Sequence, residues 1–527
     1  MDLKAVERSM AGGTDRVWAI IEQVEKIPWH WVGLFTTIVL LIVSVLVKKI
    51  DSNSHILYYG GEYGAVGAAL AQGRGFSDPF SMGSGATAWV SPLLPAIIGI
   101  VFYFTSLKIT ITYWILLFIK VASLGFGAGL IWAVLQKRGR GMASVCYLWM
   151  GILCYMYSLE LFALYHDEWL IFLVISLAFW AWHQRAEFKG RIVLMVAFSA
   201  AALCNPILWG ALFAVMLVFN RKTIHGNVHL GEGRLKRQKN RFTRNSFRIA
   251  ISVSILLIVG WTVRNGVQLK IFAPIKSNAG YELFQGQVTS RNGVPDSSTF
   301  AKHPMIFTSK EHQGYKILGE TGFIRARRDS AISRILADPS DFYRRIAQRF
   351  TNAFLFTASP LNTAVVDSKI APGDLERLHA AGFVEYRNNQ TVWIDLDDPD
   401  KEIIKVLPSL GLANPQLVLD NWRSMSEGHY WYRFSWERII RGSLIGGMPW
   451  VALMVALWLR RRSEPNPDIL WAALFLFVYL MPYVLISHYM RYQVPLLGMQ
   501  AILLTGGTVS LMRTIKQVRF SSTHPAG

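Results

Sequence analysis

The chain has 527 residues, of which 52% are hydrophobic and only 17% charged, and its mean hydropathy is +0.30. Soluble domains carry roughly 25% charged residues, so the composition excludes a disordered chain, a fibrous chain and an ordinary soluble enzyme. The formal net charge is +20, and the position of the basic residues decides what that excess means.

Residues 1–28 are mixed in charge and lead into Trp29 and Trp31. No short apolar segment with a small-residue cleavage site precedes the first apolar run, so that run reads as an uncleaved span. Runs of about the length needed to cross a bilayer lie at 30–48, 111–135, 142–160, 168–184, 248–264, 439–459, 468–487 and 493–513. Residues 191–219 are too long for one ordinary span and contain Asn205-Pro206. Proline removes a helix hydrogen bond and restricts the residue before it, which predicts two helices meeting near Asn205. Residues 91–105 are short and open on Pro92 and Pro95, which fits either a span or an interfacial helix.

Loops rich in Lys and Arg stay in the cytoplasm. Residues 221–248 carry nine basic side chains against the single acid Glu232. Four smaller clusters are Lys137-Arg138-Arg140, Arg185/Lys189/Arg191, Arg460-Arg461-Arg462 and Arg513/Lys516/Arg519. All five face one side if 191–219 is a hairpin and 91–105 does not cross. This predicts an all-α polytopic membrane protein with about ten transmembrane helices and both termini cytoplasmic. The basic loop lacks aromatic interleaving, so it reads as a topology determinant beside anionic lipid, not as a nucleic-acid site.

The expected organisation is a cytoplasmic segment 1–28, a transmembrane module 29–264 with external loop 49–110, an extracytoplasmic domain 265–437, and a second transmembrane module with cytoplasmic tail at 438–527. Short segments at 161–167, 204–207 and 488–491 join the external face. Within the large loop, helical periodicity appears at 321–337 and 340–356, and 383–395 reads as a hairpin turning at Asn388-Asn389. Cys146, Cys154 and Cys204 sit in apolar runs without metal-ligand spacing and read as buried small residues.

Acids at a membrane edge are costly to bury and therefore informative. Glu62 follows the first span, and Asp167 and Glu168 in YHDEW open another. Each also suits a helix N-terminus, where the macrodipole favours a negative charge. Together, such acids can bind a hydroxyl acceptor and take its proton. Arg264, Lys276 and Arg491 lie at the same expected face. They read either as snorkelling helix-end cations or as a clamp on a phosphate.

Four segments carry a resemblance, in order: EYGAVGAALAQGRGFSDPF with TAWVSPLLP, SAAALCNPILW, GWTVRNGVQLKIFAPIKSNAGYELFQGQ, and RYQVPLLG. They resemble the bacterial polytopic glycosyltransferases of the GT-C superfamily, akin to dolichyl-phosphate-mannose–protein mannosyltransferases and aminoarabinose transferases. The likeness covers about 1–290 and 438–510. It implies a GT-C-type fold with a mixed extracytoplasmic domain in a bacterial inner membrane. It also implies transfer of a sugar, with inversion, from a polyprenyl-phosphate carrier to an extracytoplasmic glycan, lipid or protein acceptor. The resemblance places Glu62, Asp167 and Glu168 as catalytic candidates, and Arg264, Lys276 and Arg491 at the donor phosphate. No cofactor is indicated beyond the donor, and metal use varies between branches of the group. One departure stands out: the group sets an Asp about four residues before its loop tyrosine, whereas position 59 here is Tyr and Glu62 is the near acid. Asp51 and Asp78 are alternatives for that role. A non-catalytic protein of the same fold, or a transporter of lipid-linked glycans, is the competing reading.

Overall fold

A computed structural model describes residues 21–47, 61–139, 141–157, 166–185, 187–225, 234–290, 293–295, 299–300, 302–306, 309–357, 370–381, 383–387, 390–393, 407–426, 436–459 and 466–523. Asp51 and the basic cluster 460–462 lie outside them. The described chain is helical apart from one short hairpin and an isolated bridge. Two compact units emerge. The first comprises Met1–Ser277, Met448–Pro482 and Arg491–Gly527; the second comprises Asn278–Gly447 and Tyr483–Met490.

The first unit holds helices α1 (Trp29–Val47), α2 (Glu62–Ala71), α3 (Leu93–Phe104), α4 (Ile109–Leu135), α5 (Met142–Met156), α6 (Glu168–His183), α7 (Phe188–Cys204), α8 (Pro206–His225) and α9 (Arg234–Leu269). The second unit holds α10 (Ala279–Phe284), α11 (Lys310–Ala337), α12 (Pro339–Phe354), α13 (Pro372–Ala380), strands β1 (Val384–Arg387) and β2 (Gln390–Trp393), α14 (Pro415–Ser426) and α15 (Trp436–Ile445). The chain then returns through α16 (Met448–Leu459), α17 (Pro467–Ile486) and α18 (Leu497–Thr523). Among the described residues, five segments are long and apolar enough to cross a membrane: those of α1, α4, α9, α17 and α18. This is the architecture of an α-helical membrane-embedded protein.

Small residues set the closest helix crossings, as expected where lipid supplies no hydrophobic drive between helices. A Cβ on Gly125 of α4 would lie 2.5 Å from the Gly33 carbonyl oxygen of α1, and one on Gly129 would lie 2.7 Å from the Trp29 oxygen. Gly125→Val is expected to lower stability by about 2 kcal/mol through overpacking, read as an earlier melting transition of the full chain in detergent. In α17, Trp471, Phe475 and Tyr479 stack at helical spacing, with ring centroids 5.3 and 5.9 Å apart.

Asn205 joins α7 to α8 as the hairpin reading expects. Its side-chain oxygen accepts the Ile207 and Leu208 amides at 2.9 and 3.4 Å, satisfying the start of α8. The basic 221–248 stretch is not all loop, because α9 already begins at Arg234.

The apolar stretch 439–459 is not one helix. It breaks between α15 and α16, where a Cβ on Gly446 or Gly447 would come within 2.9 Å of Leu355 backbone atoms. Hydropathy alone cannot register this close backbone approach. The 12 residues of α16 span only about 18 Å.

Several basic residues converge at one end of the first unit. Asp468, at the start of α17, is almost fully buried. It pairs with Arg138 at 2.9 Å and lies 2.8 Å from His183 Nε2. Arg185 is near enough to Arg138 to feel its charge, and a Cβ on Gly139 would lie 3.6 Å from the Arg513 guanidinium. Glu25 reaches the same end, its carboxylate accepting the Gly141 and Ala143 amides at 3.0 Å. A carboxylate suits those orphan donors at the N-terminus of α5.

In the second unit, the expected periodic segments appear as α11 and α12. Helix α11 starts earlier, at Lys310, and kinks at Gly319 (φ 63°). The 383–395 hairpin forms, with Val384 opposite Trp393 and Arg387 opposite Gln390; its turn residues lie outside the described set. Ile370, Leu378, Val384, Leu412 and Val418 make a small core around it.

Helix α12 presents two buried arginines. Arg349 donates from Nε to the Val484 oxygen at 2.7 Å, and from its terminal nitrogens to the oxygens of Leu485, Gly286 and Gly293 at 3.2–3.3 Å. It thereby satisfies the last turn of α17 and the π-helical turn Gln285–Thr289. Arg345 donates to the Ser290 oxygen at 2.7 Å and pairs with Asp341 at 2.6 Å. Burial opposes charge on Asp341, yet hydrogen bonds from Arg344 and Arg345 bring its pKa down to about 2.

His488 is buried, with Nδ1 2.9 Å from Asn352 Oδ1. Burial, and then the Arg349 charge, pulls its pKa down to about 3. A histidine in the unfolded chain titrates near 6.5. Between these two values the unfolded chain holds a proton that the folded chain refuses. Stability is therefore fully present above about pH 6.5 and falls as pH drops toward the folded value. Melting temperatures between pH 7 and pH 4 should fall, and His488→Gln should flatten that dependence.

Candidate functional site

Five of the six sequence candidates fall in one neighbourhood of the first unit. Helix α2 starts at Glu62 directly after Gly61, whose φ of 55° favours glycine. The helix can lie close to α3 because Gly67 has no side chain; a Cβ there would come within 2.6 Å of Ile98. This crossing holds the first turn of α2, with Glu62 and Tyr63. Asp167 precedes α6 and Glu168 is its first residue, and both are buried. Arg491, in the turn Met490–Leu496 before α18, pairs with Glu168 at 3.0 Å.

Tyr63 lies among these charges. Burial and then the Asp167 carboxylate push its phenol well above the ordinary value, with Arg491 opposing and Glu62 adding to the rise. The phenol is thus held protonated, as a neutral hydrogen-bonding group beside the acids. The His166 ring packs edge-on to Tyr63, with centroids 6.2 Å apart. Lys120, the buried charge of α4, is within electrostatic reach of Glu168. Lys276 acts on Cys204, which also feels Asp167 and Glu168.

Lys276 is displayed by a strained backbone. Ile275 adopts φ 87°, rare for a β-branched residue. Its carbonyl accepts the Trp261 indole N–H at 3.1 Å, and the Ser277 amide donates to the Ala88 oxygen at 2.8 Å.

Arg264 stands in a different setting. It donates to the oxygens of Thr87 and Phe76 at 2.5 and 2.8 Å, and its guanidinium lies 5.3 Å from the Phe76 and Trp261 ring centres. Those two carbonyls belong to opposite arms of a ribbon, in which Asp78 N–H donates to the Gly85 oxygen and Thr87 N–H to the Phe76 oxygen. Arg264 thus fixes the ribbon and helps wall a cavity of about 740 Å³. Arg74, Asp78, Trp261 and Gln268 share that wall.

Sequence reasoning singled out the acids and cations but not Tyr63, His166, Lys120 as a partner of Glu168, or Arg74. The first two lie inside the quoted motifs, and Arg74 is flanked by Gly73 and Gly75, both with positive φ. That glycine pattern was the legible signal. Among the described residues, no group of three or more His, Cys, Asp or Glu side chains is placed to share a metal ion. Comparison with family models, with curated proteins and with solved structures finds no match to this chain.

Proposed function

We propose that the protein is an integral-membrane glycosyltransferase. It takes a sugar from a polyprenyl phosphate and passes it, with inversion, to an acceptor on the extracytoplasmic face. The observation that carries this reading is the grouping of buried Asp167 and Glu168 with Tyr63 and Arg491. A carboxylate there can take the acceptor proton as its oxygen bonds the anomeric carbon. The bond from that carbon to the phosphate breaks, and the cations neutralise the departing charge. Asp167 is assigned the base role. Glu168 orients Arg491 through their ion pair, Glu62 supports the acidic field, and Lys276 and Arg264 serve the phosphate.

Helix α6 supports the orientation. Its first residue lies in the acid cluster, and His183 at its other end, about 22 Å away, joins the basic end of the unit. Basic ends face the cytoplasm, so the acids belong outside. GT-C membership and the ten-span arrangement are part of the same proposal, as is residence in a bacterial inner membrane.

The test is polyprenyl phosphate release from a panel of polyprenyl-phosphate sugars by the purified full chain, with envelope extract as acceptor. Release read by mass spectrometry is expected. Its failure with every donor would overturn the transferase reading and favour the non-catalytic one.

A further inference from the structure

The loop at 73–85 forms one wall of the cavity. Gly73, Gly75, Gly83 and Gly85 all have φ between 74° and 87°, and a Cβ on any of them would meet nothing within 4 Å. Their identity therefore answers to backbone conformation, not to packing. Arg74 projects from this loop and forms an ion pair with Asp78, which is itself largely buried. Both residues line the 740 Å³ cavity, together with Arg264. Leu70, Pro92 and Trp261 give the same cavity an apolar side.

We infer that the cavity binds an amphipathic phosphate monoester, and that Asp78 is a built-in competitor for its head group. The Asp78 carboxylate pairs with Arg74 Nη1, while Gln72 Oε1 accepts from Arg74 Nε and Nη2 at 3.0 and 2.6 Å. An incoming phosphate exchanges with the carboxylate on that guanidinium, a charge-assisted contact that suits Arg. The isoprenoid chain lies along Leu70, Pro92 and Trp261. This deepens the proposed function and rests on it for the identity of the lipid. The Arg74 contact and the exchange with Asp78 follow from the cavity alone.

The two residues make opposite predictions. Arg74→Gln removes the anion partner. Asp78→Asn removes the competing charge but retains the side-chain oxygen that accepts the Gly85 N–H at 3.0 Å. Asn also tolerates the left-handed φ of 60° at this position, so the ribbon is preserved. Binding of farnesyl monophosphate to the full chain in nanodiscs, by titration calorimetry, is the measurement, with farnesol and inorganic phosphate as separate arms.

Arg74→Gln should weaken farnesyl monophosphate binding about tenfold, and Asp78→Asn should tighten it several-fold. Farnesol should bind far more weakly in all three proteins. Equal affinity in wild type and both variants, or weaker binding in Asp78→Asn, overturns the exchange. Inorganic phosphate binding as tightly as the farnesyl ester overturns the lipid assignment. Because no turnover is needed, the ordered affinities without sugar release would sink the transferase reading alone. Sugar release together with unordered affinities would sink this inference alone.

Discussion

Asp167→Asn should reduce sugar transfer by about 10²–10⁴-fold, the usual worth of a general base, while leaving donor binding within a few-fold of wild type. The amide keeps the size of the side chain but cannot take a proton. Asp167 sits just before α6 and acts strongly on the buried Tyr63 phenol, so its charge is directed at the interior of the site. Glu168→Gln should fall short of that loss and behave differently. It breaks the pair with Arg491, so its main effect should appear as a raised KM for the donor. Initial rates over a range of donor concentrations separate the two patterns. Full activity in Asp167→Asn would remove Asp167 from the chemistry and leave Glu62 as the base.

Arg349→Met should destabilise the second unit by about 4 kcal/mol, the scale of breaking a buried hydrogen-bond network. The Val484, Leu485 and Gly293 carbonyls lose the Arg349 donor at once, and Gly286 keeps only Ser290 Oγ and Arg345 of its three side-chain donors. Burial, with Arg345 adding to it, pulls the Arg349 pKa down to about 10, so the residue is still a cation at neutral pH. Arg349→Lys should recover only part of the loss, since an ammonium has three donors and no planar fork. Hydrogen exchange of the amides in 484–490 and 286–293 checks this, because a core defect elsewhere would not release those two segments together. Unchanged protection in Arg349→Met would refute it.

Local chemistry made much of the fold legible. The apolar lengths of α1, α4, α17 and α18 are written in hydropathy, and the α7–α8 junction is written in Asn205-Pro206. The period of α11 and α12 and the 383–395 hairpin follow from side-chain alternation and turn residues. Asp167 and Glu168 were visible because acids at the start of an apolar helix are conspicuous. The break at Gly446-Gly447 was hidden, since it answers to the Leu355 backbone and not to any neighbour in sequence. The role of Arg264 was also hidden. A motif marks an arginine as important, but only the ribbon carbonyls of Phe76 and Thr87 explain what it holds.

The sequence by itself therefore determined a helical membrane protein and the residue types available for chemistry, because these depend on composition, period and turn residues. Only the tertiary structure decided which of those residues meet. Glu168 finds Arg491, Asp167 finds Tyr63, and Arg74 shares a cavity with Arg264. Each of these pairings crosses between elements far apart in the chain, and long-range pairing is set by packing geometry, which no local pattern encodes.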